Sequence, residues 1–164
     1  MNKALIVIDA QCDYLSDGKY PLFNIDATIA NLQAQVRDAS DRQELVIFIQ
    51  HLSPAGAAFF EEGSQGAALI TSVLESADRP HIVQKRFADA FDGTGLDKLL
   101  QTHQISHIVL AGMMTQNCVL FTAISEYAKK YRIDIIAQCC TSVTPVIHAV
   151  AIRGLSRIDG INVI

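Results

Sequence analysis

The sequence contains no tryptophan, only four prolines and no long uninterrupted run of apolar residues. A membrane-spanning helix needs about 20 consecutive apolar residues, so we expect no transmembrane segment. The first apolar stretch meets Asp9 too early for a signal peptide. Charged residues make up 18% of the chain and the formal net charge is −4, without any basic block. This composition favours neither nucleic acid nor an anionic membrane as a partner.

Cysteine is also scarce, and no two of its four residues have the spacing of a Cys-x-x-Cys pair. The neighbouring residues Cys139 and Cys140 are poorly placed to bridge to each other. We therefore expect neither a disulfide framework nor a structural zinc site, and a reducing, cytoplasmic setting is the default.

Half of the residues are hydrophobic, and they form short apolar runs that alternate with helical patterns. Short β-branched runs predict buried strands, and apolar residues at helical spacing predict helices. The alternation predicts one α/β domain over residues 1–164, a three-layer α/β/α sandwich with a mainly parallel central sheet. Strands are predicted at residues 4–8, 45–49, 81–84, 108–111, 133–137 and 161–164, and helices at 26–40, 67–76, 96–103, from 115 onwards, and 145–157.

Reactive side chains follow three of the predicted strands. Asp9 follows the first strand, Lys85 follows the third, and Cys118 lies in the turn after the fourth. Ligands of open α/β sheets bind at the carboxyl ends of strands, so the three groups share one cleft if their strands are neighbours. Thr115 is the predicted helix N-cap, which would put the Cys118 sulfur near a helix end that favours a thiolate.

These three groups have complementary chemistry. Cys118 is the candidate nucleophile, Asp9 the base that accepts its proton, and Lys85 the source of positive charge. The backbone N–H groups of Met114 and Cys118 are candidates for an oxyanion hole. Cys12 is the rival nucleophile, although packing is the expected role of such a thiol. Asp9 raises the pKa of the Cys118 thiol and Lys85 lowers it, so the sequence leaves the resting protonation state open.

Three sequence blocks resemble a known family. They are DAQ at 9–11; Lys85 followed by AFDGTGL at 90–96; and GMMTQNCV at 112–119 with TA at 122–123. Together they resemble the DxQ, K…AFxGTxL and GxxTxxCVxxTA blocks of the isochorismatase-like cysteine hydrolases, which include nicotinamidases and N-carbamoylsarcosine amidohydrolases. The resemblance covers essentially the whole chain and implies an isochorismatase-like, Rossmann-like fold.

The resemblance also implies roles for particular residues. It implies a catalytic triad of Asp9, Lys85 and Cys118, and a cis peptide between Met113 and Met114 that makes the Met114 N–H an oxyanion donor. It further implies a homodimer or homotetramer. The residues expected to contact a small-molecule substrate are Gln11, Tyr14, Phe91 and Met113.

The sequence departs from the nicotinamidase pattern after the second strand. Nicotinamidases carry an Asp-x-His pair and a further histidine there, which bind a metal. This chain has Gln50-His51-Leu52-Ser53-Pro54 instead. We therefore expect no metal and no cofactor, and we expect His51 to be a loop or packing residue. Nicotinamide is correspondingly a doubtful substrate.

The resulting hypothesis is a cysteine hydrolase that cleaves a C–N bond of a small amide, imide or ureido substrate through a thioester on Cys118. Isochorismate-cleaving relatives lack this cysteine, so their vinyl-ether chemistry is not expected. The alternative is a catalytically silent small-molecule-binding or assembly protein that retains the fold. A flavodoxin-like nucleotide binder has little support, because the Gly-Thr-Gly at 93–95 lacks the GxGxxG spacing.

Overall fold

The computed structural model describes residues 2–164. Its centre is a six-stranded sheet in the order β3-β2-β1-β4-β5-β6, in which every neighbouring pair is parallel. The α/β prediction with a parallel central sheet is confirmed. The strands are β1 (Lys3–Ile8), β2 (Leu45–His51), β3 (His81–Lys85), β4 (His107–Met113), β5 (Arg132–Thr141) and β6 (Ile161–Val163). The helices are α1 (Ile25–Asp41), α2 (Thr71–Leu74), α3 (Leu96–Thr102), α4 (Leu120–Ala123) and α5 (Pro145–Leu155), with 3-10 turns at Cys12–Tyr14 and Ala128–Lys130 and a π turn at Thr115–Val119.

The central strands supply two hydrophobic cores, because successive side chains of a strand point to opposite faces of the sheet. Leu5 and Val7 pack in the core that includes residues of α1. Ile6 and Ile8 pack in the other core, which includes residues of α3 and α5. Strands buried on both faces read as continuous apolar runs, which is why the sequence pattern identified them.

The strand order reverses between β1 and β4, at the centre of the sheet. Gly112 of β4 lies opposite Ile8 of β1, with a φ of +117°, and a Cβ built on it would lie 2.0 Å from the Ile8 carbonyl oxygen. A glycine is therefore required for the two backbones to approach this closely. Ligand crevices of α/β sheets form at such a reversal, outside the carboxyl ends of the strands.

The segment after β4 differs from the predicted continuous helix. It begins with the π turn Thr115–Val119 and continues as the short α4. Thr115 is not the N-cap; Met114 holds that position without a side-chain bond. The Thr115 hydroxyl instead donates to the carbonyl oxygen of Thr141 in β5 at 2.9 Å. The capping prediction was wrong, because a tertiary contact to the neighbouring strand replaces the local one.

Other elements also differ in extent from the sequence prediction, most of all β5, which runs from Arg132 to Thr141 where 133–137 was predicted. The helix predicted at 67–76 is reduced to Thr71–Leu74, since Leu69 is taken up by an isolated antiparallel bridge to Gln11. The third strand extends one residue further and ends at Lys85 itself. Among residues 2–164, no helix is both long and apolar enough to cross a membrane.

Candidate active site

Asp9, Lys85 and Cys118 meet at the carboxyl ends of β1, β3 and β4. The Lys85 Nζ lies 3.0 Å from Asp9 Oδ2 and 3.2 Å from Cys118 Sγ. All three residues are almost completely buried, with 3% exposure at most. The three strands are not all neighbours, since β2 separates β3 from β1. The condition that the three strands are neighbours is therefore not met. The three groups still come together, because the long Lys85 side chain reaches across the intervening strand β2.

Asp9 has an unusual backbone conformation and an unusual hydrogen-bond environment. Its φ of +48° is left-handed, and its N–H donates to the Ile49 carbonyl oxygen of β2 at 3.1 Å. Left-handed non-glycine residues cluster at functional sites. Both carboxylate oxygens are buried without a hydrogen-bond partner among the described groups. The Lys85 ammonium is close enough for an ion pair, but it lies off the hydrogen-bond direction.

The Lys85 ammonium is held by three other groups in hydrogen-bond geometry. It donates to the Phe87 carbonyl oxygen at 2.9 Å and to Cys118 Sγ, and it lies 2.9 Å from His51 Nδ1. We expected His51 to be a loop or packing residue, but it ends β2 and lies opposite Lys85 in the sheet. The available sequence signal was its position, since His51 follows the apolar run of β2 much as Asp9 follows that of β1.

The environment of the Cys118 thiol favours its protonated form. Burial is the largest cause that raises its pKa to about 12, the Asp9 charge adds to this, and Lys85 acts in the opposite direction. The expectation that the thiol pKa is lowered at this position is not met, because burial and the Asp9 charge raise the pKa by more than the Lys85 charge lowers it. A thiolate at this position therefore requires transfer of the thiol proton to a base.

The candidate metal ligands in this region are Asp9, His51 and Cys118, whose donor atoms lie within 4.8 Å of one another. The Lys85 ammonium contacts all three, at 3.0, 2.9 and 3.2 Å. The Lys85 ammonium already balances the negative charge of these donors and occupies the space between them. It would therefore repel a second cation. These three residues therefore do not fit a bound metal ion.

Gln11, predicted to contact substrate, is engaged with the main chain. Its Nε2 donates to the carbonyl oxygens of His51 and Ala67, each at 2.8 Å, and its Oε1 accepts from the His51 N–H at 2.8 Å. The side chain is completely buried. Gln11 thus holds the end of β2, and a contact with substrate stays a prediction.

Tyr14 lies near enough to Asp9 and Cys118 for their charges to act on its phenol. Its ring packs edge-on against Phe60, with 4.7 Å between ring centroids, and it is buried. Burial, followed by the charges of Asp9 and Cys118, raises the pKa of its phenol. The hydroxyl is therefore neutral and lies within the electrostatic field of the site, which is compatible with the predicted substrate contact.

Phe91 and Met113 are both core residues. The Phe91 ring is stacked on Tyr127 and Tyr131, at centroid distances of 6.0 and 6.4 Å, which assigns it to packing beside α4. Met113 is fully buried at the end of β4. The peptide between Met113 and Met114 is cis, as the resemblance implied. Substrate contacts by Phe91 and Met113, and an oxyanion role for Met114, stay predictions.

The rival nucleophile Cys12 has a different environment from Cys118. Its thiol lies 4.0 Å from the Leu69 carbonyl oxygen. Burial raises its pKa, and the charged groups acting on it are the carboxylates Asp13 and Asp17, which raise it further. This environment offers no stabilisation of a thiolate, whereas Cys118 has the Lys85 ammonium against its sulfur.

Comparisons with known proteins agree with this geometry. The isochorismatase domain model matches residues 3–161. An uncharacterized isochorismatase family protein of Bacillus subtilis is 30% identical, with 99% of each chain covered. A protein of Arabidopsis thaliana named "probable inactive nicotinamidase" is 28% identical, covering 96% of this chain and 89% of its own. The crystal structure of a pyrazinamidase/nicotinamidase from Streptococcus mutans matches with a TM-score of 0.89 at 26% identity, covering 99% of this chain and 100% of that chain. The chain therefore belongs to the isochorismatase family of hydrolases.

Proposed function

We propose that this protein is a metal-independent cysteine hydrolase that cleaves a C–N bond of a small amide, imide or ureido compound. The observation that carries the proposal is the Lys85 ammonium, which lies between the Asp9 carboxylate and the Cys118 thiol, 3.0 and 3.2 Å away. Family membership supports amide hydrolysis in general, and the matched relatives include a nicotinamidase of Escherichia coli and a maleamate amidohydrolase of Pseudomonas putida.

In the first half of the reaction, the Cys118 sulfur attacks the substrate carbonyl carbon and Asp9 accepts the thiol proton. Because neither Asp9 oxygen has a hydrogen-bond partner among the described groups, the carboxylate is free to act as this base. Negative charge develops on the carbonyl oxygen, and the N–H groups of Met114 and Cys118 are the proposed donors to it. Loss of one such donor raises a barrier by about 3 kcal/mol.

In the second half, protonated Asp9 gives its proton to the leaving nitrogen as the C–N bond breaks and a thioester remains. A water molecule then attacks the thioester carbonyl while Asp9 accepts one of its protons. The C–S bond breaks, the acid product leaves, and Asp9 returns the proton to the sulfur. Lys85 supplies the positive charge that stabilises the thiolate whenever it forms.

The same proposal includes a reducing, cytoplasmic setting and assembly as a homodimer or homotetramer. The reducing setting is supported by the cysteines, since all four are unpaired. Assembly is supported by exposed apolar side chains on and after α4 and on α5, because another copy of the chain would cover them. They are Phe121, Ile124, Tyr127, Val146 and Val150. Light scattering coupled to size-exclusion chromatography measures the assembly, and a monomer at micromolar concentration would overturn that part.

The function is tested by screening simple amides, imides and ureides against the wild-type protein and Cys118→Ala, with Cys12→Ala as the matched control. We expect turnover by the wild type and the control, and none by Cys118→Ala. Iodoacetamide followed by mass spectrometry should label Cys118. Labelling of Cys12 with Cys118 inert would overturn the assignment of the nucleophile. Binding of a panel compound without turnover would favour the silent binding protein, although the close contact of the three residues argues against it.

A further inference from the structure

His51 and Lys85 are directly opposite residues of neighbouring strands. His51 ends β2, Lys85 ends β3, and the two are paired in the parallel register. Opposite residues of adjacent strands project their side chains to the same face of the sheet. This placement brings His51 Nδ1 to 2.9 Å from Lys85 Nζ, at the same point where Nζ meets the Cys118 sulfur.

The protonation of His51 follows from its neighbour. An ammonium group has three donors and no acceptor, so the imidazole must accept at Nδ1 and carry its own proton on Nε2. His51 is therefore neutral. Burial is the largest cause that lowers the His51 pKa, and the positive charges of Lys85 and Arg86 lower it further. The negative charge of Asp9 acts in the opposite direction.

The Lys85 ammonium has four close neighbours for its three protons. His51 Nδ1, the Phe87 carbonyl oxygen and the Cys118 sulfur all satisfy hydrogen-bond geometry. Asp9 Oδ2 is as near, at 3.0 Å, yet it receives no hydrogen bond. With His51 Nδ1 and the Phe87 carbonyl oxygen as two acceptors, the sulfur rather than the carboxylate satisfies the geometry of a third hydrogen bond.

We propose that His51 is a positioning residue: it holds one Lys85 proton so that another is directed at the Cys118 sulfur, which leaves the Asp9 carboxylate free to act as the base. The inference deepens the proposed hydrolase function and depends on it. Gln11 completes the arrangement, because its amide bonds both the N–H and the carbonyl oxygen of His51. Without His51, the ammonium turns toward Asp9, which both weakens the thiolate and occupies the base.

The test compares His51→Ala with His51→Asn. The asparagine Oδ1 comes close to the position of Nδ1 and accepts a hydrogen bond without titrating. The measurement is the rate of Cys118 alkylation by iodoacetamide from pH 6 to 10, which needs no known substrate. The groups that face His51 and titrate or carry charge are Lys85, Arg86, Asp9 and Cys118, and all are retained in both variants.

We expect His51→Ala to slow Cys118 alkylation at pH 8 by about tenfold, which corresponds to one unit of thiol pKa. His51→Asn should recover most of that rate. His81→Asn is the matched control, because His81 begins the same strand that Lys85 ends, and it should alkylate at the wild-type rate. Thermal melting of each variant separates a loss of fold from a loss of positioning.

Each outcome has a defined meaning. Equal alkylation rates for the wild type and His51→Ala, with Cys118 reactive in both, would overturn the positioning role and leave the hydrolase proposal intact. Slow alkylation of both His51 variants at unchanged melting temperature would also overturn it, since an acceptor at this position would then be insufficient. An unreactive Cys118 in the wild type would instead overturn the proposed function itself.

Discussion

Replacing Lys85 with methionine should lower the free energy of unfolding by much more than the small change in side-chain volume suggests. The Lys85–Asp9 pair is completely buried, with both side chains 0% exposed. The substitution removes the ammonium and leaves the Asp9 carboxylate, which already has no hydrogen-bond partner among the described groups, without a compensating charge. Methionine fills a similar space, so the expected loss comes from the charge and not from a cavity.

The magnitude follows from what breaking a buried ion pair costs, about 3–5 kcal/mol of unfolding free energy. The double variant Asp9→Asn/Lys85→Met contains no unpaired buried charge at this position. It should therefore recover part of the loss, with a coupling energy of about 2–3 kcal/mol between the two sites. Neither variant should hydrolyse any substrate of the wild type, because both lack a member of the proposed catalytic group.

Urea unfolding followed by circular dichroism at pH 7 measures these free energies at one fixed protein concentration. The control is Arg86→Met at the next residue, whose guanidinium pairs with Glu62 at 2.7 Å, with side chains 54% and 55% exposed. A surface pair of this kind contributes about 1 kcal/mol or less. The reasoning would be refuted if Lys85→Met lost no more unfolding free energy than Arg86→Met. It would also be refuted if the losses of Lys85→Met and Asp9→Asn simply added in the double variant.

Other predictions concern packing and pH. Gly112→Ala should lose at least about 3 kcal/mol of stability, because its Cβ would overlap the Ile8 carbonyl at a left-handed φ. The control is Gly154→Ala, where a Cβ meets nothing within 4 Å. It should melt no lower than the wild type. Phe91→Ala should lose about 3 kcal/mol through its buried ring while the KM of a screened substrate stays within about twofold; a large KM increase would place the ring against substrate. Alkylation of Cys118 should still rise with pH above 9, since burial raises the thiol pKa to about 12; a plateau near neutral pH would contradict a protonated resting thiol.

The sequence by itself determined the architecture and pointed to three residues of the candidate site. The strands of a sheet covered on both faces are short continuous apolar runs, so their positions could be identified without tertiary information. Asp9, Lys85 and Cys118 were found because each is a reactive group at or just beyond the carboxyl end of such a run. The cis peptide at Met113 followed from family resemblance, and the structure has it.

Only the tertiary structure decided which strands are neighbours, and several residues depend on that order. His51 contacts the site because β2 lies between β1 and β3, so it is brought opposite Lys85. Thr115 bonds to β5 rather than capping its own turn, and Phe91 stacks on Tyr127. The raised Cys118 pKa likewise depends on burial and on the Asp9 charge together. These properties come from contacts between residues far apart in the chain, which local pattern and spacing do not encode.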